Sequence, residues 1–250
     1  MIPIVIPTHG RAGQLRALTS FPDAVLCVAE SQREAYAHAH PGQELCVHPD
    51  SVRGLSRKRQ WIYEQFGTHV TVDDDIELRR LSQAQGESNK LDPGTPSQIV
   101  RNLVSSAEAM GAYLCGVSSA TNPVAYRPEK PFRITGFVGA ACMGIVAGSK
   151  LWFHPECHWD DFWISALNAY HHRLVLVDMR YCIVEPQQGR REGGSASSRT
   201  EDTYRESFEL LREHYGDAIR RATGRPVKSK RGWEQKGPAT QWQPVLSVPF

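Results

Sequence analysis

No run of 18 or more apolar residues occurs in the 250-residue sequence, so no helix is expected to span a bilayer. The N-terminus opens directly on a strand-like segment, without a charged n-region and an apolar h-region, so no signal peptide is expected. Cysteine is limited to six positions (27, 46, 115, 142, 157 and 182), none of them in a Cys-x-x-Cys pair. Most lie in apolar, strand-like surroundings, which fits reduced thiols in a cytoplasm better than disulfides or zinc. The pairs His171-His172 and Cys157-His158 have ligand residue types but no metal-site spacing, and read as structural. No internal repeat is present. The composition, 40% hydrophobic and 22% charged, excludes wholesale disorder and allows one large α/β domain or two small ones.

Charge of one sign is scarce overall, with a net of +2, yet it is unevenly distributed. Arg220, Arg221, Arg225, Lys228, Lys230, Arg231 and Lys236 face only Glu234, and Trp233 and Trp242 accompany them. Such a tail is one footprint of nucleic-acid binding, and equally that of an ordinary solvated terminus.

Periodicity supplies the architecture. Residues 2–6 form a short continuous apolar run, the mark of a strand buried on both faces. Further strands are expected at 24–29, 45–48, 69–72, 113–117, 174–177 and 181–184, with glycine-broken strand material that reads as a hairpin bordering the acceptor site at 132–147. Helices are expected at 14–19, 33–38 (capped by Ser31), 57–65, 97–110, 160–171 and from Thr200 to about 215. Residues 82–98 and 118–131 read as loops, and 187–198 as a flexible lid. Strands alternating with helices argue for a mostly parallel central sheet with ligands at the carboxyl ends of its strands. Thr8, Glu30 and Asp73 all fall at such ends.

The run Val70-Thr71-Val72-Asp73-Asp74-Asp75-Ile76 puts three adjacent carboxylates at the end of a β-branched segment. Adjacent acids repel one another, and at a buried strand end their pKa values rise unless a cation sits there. Oxygen ligands suit Mg²⁺ or Mn²⁺, which keep positions open for substrate phosphates. The other reading is a solvated acidic turn.

Two upstream segments accompany the acids: Gly54-Leu55-Ser56-Arg57-Lys58-Arg59-Gln60 and Ile2-Pro3-Ile4-Val5-Ile6-Pro7-Thr8-His9-Gly10-Arg11. In this order the three resemble the nucleotide-sugar-binding half of a GT-A glycosyltransferase, similar to the inverting family-two enzymes with their "GLSxARN" and "DxD" motifs. Gln60 stands where that family has Asn. The resemblance implies a GT-A (Rossmann-like) fold, with a C-terminal helix and basic tail here. Residues 1–80 would be the nucleotide-sugar-binding half, 81–185 the acceptor half of the same domain, and 186–250 a flexible loop, helix and tail.

The resemblance also implies roles. Asp73 and Asp75 would be the two DxD aspartates, with Asp75 the direct metal ligand and Asp73 nearer the ribose; Asp74 could substitute for either. Pro7, Thr8 and Arg11 would line the nucleoside, Glu30 matches the acid that contacts base or ribose, and Arg59 aligns with the Arg of the motif. Gly54 permits the close backbone approach needed there. Arg11 and Arg59 could instead be surface ion pairs, Glu30 a helix-dipole partner, and Arg57, Lys58 and Arg59 a solvated helix face. His158-Trp159-Asp160-Asp161-Phe162-Trp163 resembles the "ED" motif that supplies the catalytic base, mapping the base onto Asp161 with Asp160 in place of Glu. The surrounding aromatics would raise its pKa; the alternative is a helix cap and a first-turn dipole partner. Arg190, Arg191 and Arg199 would close over the diphosphate, and could equally be DNA-phosphate contacts or solvent-facing charge.

"IPTHGRAGQL" and "RGLSRKRQWIYE…VDDDI" also resemble the phage-type TET-associated glycosyltransferases, which attach sugars to 5-hydroxymethyl-pyrimidines in DNA. That resemblance implies a UDP-sugar donor such as UDP-glucose, Mn²⁺ or Mg²⁺, double-stranded DNA bearing 5-hydroxymethylcytosine as acceptor, no membrane, and a cytoplasmic location (the host's, if phage-encoded). A saccharide acceptor, a nucleotidyltransferase and a non-catalytic nucleic-acid-binding protein of the same fold remain as alternatives.

Overall fold

Continuous apolar runs and amphipathic helices alternate along the chain and build a nine-stranded sheet. The computed structural model describes residues 1–82, 89–184, 200–223, 225–229, 232–236 and 241–247. The sheet strands are β1 (Ile4–Pro7), β2 (Val25–Ala29), β3 (Leu45–His48), β4 (His69–Val72), β5 (Glu77–Arg80), β6 (Leu114–Ser118), β7 (Phe132–Arg133), β8 (Cys142–Ile145) and β9 (Val175–Val184). Their order is β3-β2-β1-β4-β8-β6-β9-β5, with β7 also on β9. β1 to β4, β6 and β9 run in one direction, and β8, β5 and β7 run against them. This is the mostly parallel α/β sheet that the periodicity predicts.

Helices cover both faces: α1 (Ala17–Ser20), α2 (Arg33–Ala39), α3 (Leu55–Phe66), α4 (Thr95–Ala109) and α5 (Asp160–His171). Side chains alternate across a strand, so β1 sends Ile4 and Ile6 to one face and Val5 to the other. Ile4 and Ile6 join Tyr36 of α2 and Val100, Leu103, Val104 and Ala107 of α4, while Val5 meets Cys27 and Ile62 of α3. Ile164 and Leu167 of α5 pack with Leu114, Met143 and Val175. The spacing of the α4 positions is the apolar stripe of an amphipathic helix. Gly144 lets α4 approach the sheet: a Cβ there would lie 2.6 Å from both Val104 Cγ2 and Cys115 Sγ. All six cysteines are free thiols, as expected.

Several expectations need correction. Residues 132–147 are not a hairpin: β7 pairs with β9, while β8 fills the slot between β4 and β6. The two strands expected at 174–177 and 181–184 are one strand, β9, whose pairing with β6 shifts register at Val117/Ser118. Ser31 does not cap α2. It lies in a 3-10 turn, and its hydroxyl donates to Asp50 Oδ1 at 2.7 Å. β5 was not anticipated, because its sequence Glu-Leu-Arg-Arg buries only Leu78. Thr200 does cap α6 (Glu201–Tyr215), through a capping box with Thr203. Beyond it lie β10 (Ile219–Arg221), β11 (Arg225–Ser229), β12 (Gly232–Lys236) and β13 (Pro244–Leu246), so the basic tail contains strand pairs β10/β13 and β11/β12. No helix among the described residues is long and apolar enough to cross a membrane.

Candidate active site

The carboxyl ends of β1 and β4 lie side by side, and this brings the Thr8 loop against the acids that follow Val72. The three aspartates then diverge. Asp74 turns inward: Thr8 Oγ1 donates to its Oδ2 at 2.8 Å and Arg11 Nη1 donates to its Oδ1 at 2.6 Å. Tyr36 completes a relay, its hydroxyl 2.9 Å from Thr8 Oγ1 and accepting the Arg11 backbone N–H at 3.0 Å. Only 7% of the Asp74 side chain is accessible, whereas Asp73 and Asp75 each keep 34%. Burial raises the Asp74 pKa, with the Thr8 hydrogen bond and Arg11 opposing the rise.

Arg59 holds the centre. Its side chain is 1% accessible, so it is not a surface ion pair. One guanidinium nitrogen pairs with Asp160; the other donates to Asp73 Oδ1 at 2.8 Å and to the Ala140 carbonyl at 3.2 Å. A buried cation is tolerated only when paired and hydrogen-bonded; these contacts serve both terminal nitrogens, while the buried Nε has no partner among the described residues. Asp160 is not a side-chain cap of α5: its Oδ1 accepts the Asp161 backbone N–H at 3.0 Å while its Oδ2 takes Arg59. Asp161 Oδ1 accepts the Phe162 N–H at 2.9 Å. Its Oδ2 makes no hydrogen bond among the described residues.

The electrostatics follow. Burial pushes the Asp73 carboxyl up to about 6, reinforced by Asp160, Asp75 and Asp74 and opposed by Arg59. Burial first, and the neighbouring Asp160 second, push Asp161 up to about 7. A carboxylate near 7 with a vacant lone pair can take a proton at neutral pH.

The other expected positions are distributed as follows. Pro7 ends β1, and Thr8 is buried behind it. Gly54 sits at the N-terminus of α3 with φ +89°, a left-handed conformation that favours glycine. Glu30 is exposed after β2. Arg190, Arg191 and Arg199, with the expected lid, lie outside the described residues. Sequence reasoning missed Tyr36 and treated Lys58 as part of a basic helix surface. Lys58 is in fact buried, its Nζ donating to the Thr8 carbonyl at 2.7 Å. The signal was available: Lys58 and Arg59 lie four and three residues before Ile62, on the helix face that Ile62 buries.

A Mg²⁺ or Mn²⁺ ion takes one or two carboxylates and completes its shell with water and substrate phosphates. Asp73 and Asp75, alternate residues at one strand end, each keep a partly accessible carboxylate that fits that demand, although Arg59 pairs with Asp73 Oδ1 and Arg11 Nη1 lies 3.3 Å from Asp75 Oδ2. Asp74 is occupied by its own partners. No group of three or more His, Cys, Asp or Glu side chains among the described residues is arranged to hold a metal.

Comparison with known proteins gives three findings. The chain is 29% identical over 96 residues to the Beta-glucosyl-HMC-alpha-glucosyl-transferase of Enterobacteria phage T6, a match covering 36% of this chain and 34% of that protein. It thus spans about a third of that relative's length. The crystal structure of S. aureus TarS 1-349 superposes with a TM-score of 0.47 at 12% identity, over 84% of this chain and 64% of that one. Residues 2–193, which include every strand of the nine-stranded sheet and every acid described above, match the family model for TET-Associated Glycosyltransferase, and the chain belongs to that family.

Proposed function

We propose that this protein transfers a sugar from a nucleoside diphosphate donor, UDP-glucose or a similar UDP-sugar, to the hydroxymethyl oxygen of 5-hydroxymethylcytosine in DNA. The observation that carries this reading is the Asp73–Arg59–Asp160 bridge. It joins the DxD acids at the end of β4 to the N-terminus of α5, where Asp161 has an open oxygen. In the reaction, the acceptor oxygen bonds to the sugar C1 as the bond from C1 to the diphosphate oxygen breaks. The hydroxyl proton passes to Asp161, and the nucleoside diphosphate leaves. A base on the acceptor side and a leaving group opposite it invert the configuration at C1. A divalent cation held by Asp73 and Asp75 would neutralise charge on the leaving diphosphate. Thr8 and Arg11, braced by Tyr36 and Asp74, line the nucleoside side with Pro7, Glu30 and Gly54. Arg59 keeps Asp73 and Asp160 in fixed relation and limits the rise in the pKa values of Asp73 and Asp161.

The DNA acceptor is supported by the family and by the phage T6 relative, named for transfer to beta-glucosyl-HMC. The test is intact-mass analysis of oligonucleotides carrying cytosine or 5-hydroxymethylcytosine, incubated with Mn²⁺ and a panel of nucleotide sugars. A gain of one hexose or N-acetylhexosamine on the hydroxymethylated strand alone, lost in Asp75→Ala, is the expected result. Donor hydrolysis without any DNA product would redirect the acceptor to saccharides. Neither signal would favour a nucleic-acid-binding protein without transferase activity.

A further inference from the structure

Arg180 and Phe132 form a feature that the chemistry above does not use. β7 is pinned to β9 by the Met179 N–H donating to the Pro131 carbonyl at 2.8 Å and the Val175 N–H donating to the Ile134 carbonyl at 3.0 Å. The intervening Phe132 is 43% exposed. Over it lies the Arg180 guanidinium, its Cζ 4.9 Å from the ring centroid and 5.6 Å from that of Tyr181. Asp178, almost fully buried, fixes the guanidinium plane with two hydrogen bonds, Nε to Oδ1 at 3.0 Å and Nη2 to Oδ2 at 2.7 Å. Two-point pairing of this kind sets orientation as well as charge. The result is a rigid flat cation on an aromatic base, with 44% of the Arg180 side chain still open. An ion pair formed only for stability has no need of an exposed ring beneath it.

The location carries the argument further. Phe132 pairs with Asp178 on β9, level with Val117 near the carboxyl end of β6. That is the rim of the sheet on which β4 delivers Asp73. From β4 through β8, β6 and β9 to β7 there are about four strand spacings, or roughly 15–20 Å. From β7 the chain runs back towards the reacting groups. Arg133 bonds the carbonyls of Thr135 and Phe137, the Phe137 ring packs 4.6 Å from that of Phe162, and the Ala140 carbonyl accepts from Arg59. Arg127 and Lys130, both exposed, precede β7 in the same loop, with Glu129 the one acid between them. A basic rim with a guanidinium–aromatic stack suits a polyanion that carries flat bases.

The geometry points to the Arg180–Phe132 pair as a platform on which a base of the acceptor strand stacks, a few nucleotides from the reacting base. A base inside a duplex has no free face to offer. The acceptor is therefore DNA that is unpaired along this flank. This rests on the DNA acceptor proposed above.

Steady-state kinetics on a single-stranded 5-hydroxymethylcytosine oligonucleotide, and on the same oligonucleotide in a blunt duplex, test it. The wild type is expected to have the lower KM on the single strand. Phe132→Ala should raise that KM about tenfold, the scale of one lost base–aromatic stack, with kcat retained at saturating DNA. Phe132→Trp should restore it, and Arg180→Lys, which keeps the charge but not the plane, should act like Phe132→Ala. Equal KM values for wild type and Phe132→Ala, or the same loss on duplex as on single strand, would overturn the platform while leaving the DNA acceptor intact. Transfer by the wild type to saccharides and to no DNA would overturn both.

Discussion

Replacing Arg59 with methionine removes the buried cation while filling much of its volume. The contact with Asp73 is partly open to solvent and is worth at most about 1 kcal/mol. The contact with Asp160 is different, since both side chains are buried and removing one partner strands the other. Breaking a buried pair in this way costs about 3–5 kcal/mol. The loss should depend on pH in a set direction. Asp73 and Asp161 already have folded-state pKa values above their unfolded values, and Arg59 is what opposes the rise. Without it both rise further, so the folded state binds protons that the unfolded state does not, and stability falls as pH increases. The deficit of Arg59→Met should therefore be smallest near pH 4 to 5 and largest above pH 7. The double variant Arg59→Met/Asp160→Asn, in which neither partner is left charged, should recover all but about 1–2 kcal/mol. Urea unfolding followed by tryptophan fluorescence at pH 5 and pH 8 measures each term. An equal loss at both pH values, or a double variant no more stable than the single one, would refute the argument.

Other expectations can be checked with the same preparations. The folded-state pKa of Asp161 is raised, so its charge destabilises the fold progressively from about pH 4 upward and fully above about 7. Asp161→Asn should thus match the wild type in unfolding at pH 4 and exceed it by about 1–2 kcal/mol at pH 8, while turnover falls about 10²- to 10⁴-fold. Wild-type kcat/KM should rise with pH through about 7 as Asp161 loses its proton, and a flat profile from pH 5 to 8 would remove it as the base. A Mn²⁺ titration of activity separates the neighbouring acids. Asp75→Asn should raise the half-saturating concentration about tenfold or more, whereas Asp74→Asn should leave it unchanged and lower stability by about 1–3 kcal/mol through Thr8 and Arg11. Gly144→Ala should cost about 1–3 kcal/mol in thermal unfolding, because Val104 and Cys115 already occupy the space of the added carbon.

Much of this arrangement was legible before folding, for reasons that differ by element. β1, β2 and β4 are buried on every residue, so the apolar runs of β1 and β2 and the β-branched run of β4 had few other interpretations. α5 begins at Asp160 and ends at His171, where acids give way to apolar residues and the chain turns at His172. β5 was hidden because an edge strand with one buried side chain has no apolar run to declare it. The partners of β7 and β8 were hidden because pairing is a property of the whole sheet, and sequence neighbours are its default guess. At the site, adjacent acids beside aromatic residues stood out, and Asp73 and Asp160 do converge on one arginine. The relay through Tyr36 was not legible, since a tyrosine in a short helix is ordinary on any surface, whereas the burial of Lys58 could be read from its spacing to Ile62.

The slot filled by β8 has a consequence for synthesis. Arg59 and Asp160 are 101 residues apart. At roughly 5–20 residues per second, a ribosome makes the arginine about 5–20 s before its partner. β8, which must cover the open edge of β4, emerges only shortly before Asp160. Throughout that interval the nascent chain carries both a bare strand edge and an unpaired cation destined for the interior. Those are features that chaperones hold and that sister chains on a polysome can join. Yield in a cell should accordingly depend on the pace of translation between β4 and α5, and on nothing that the finished fold displays.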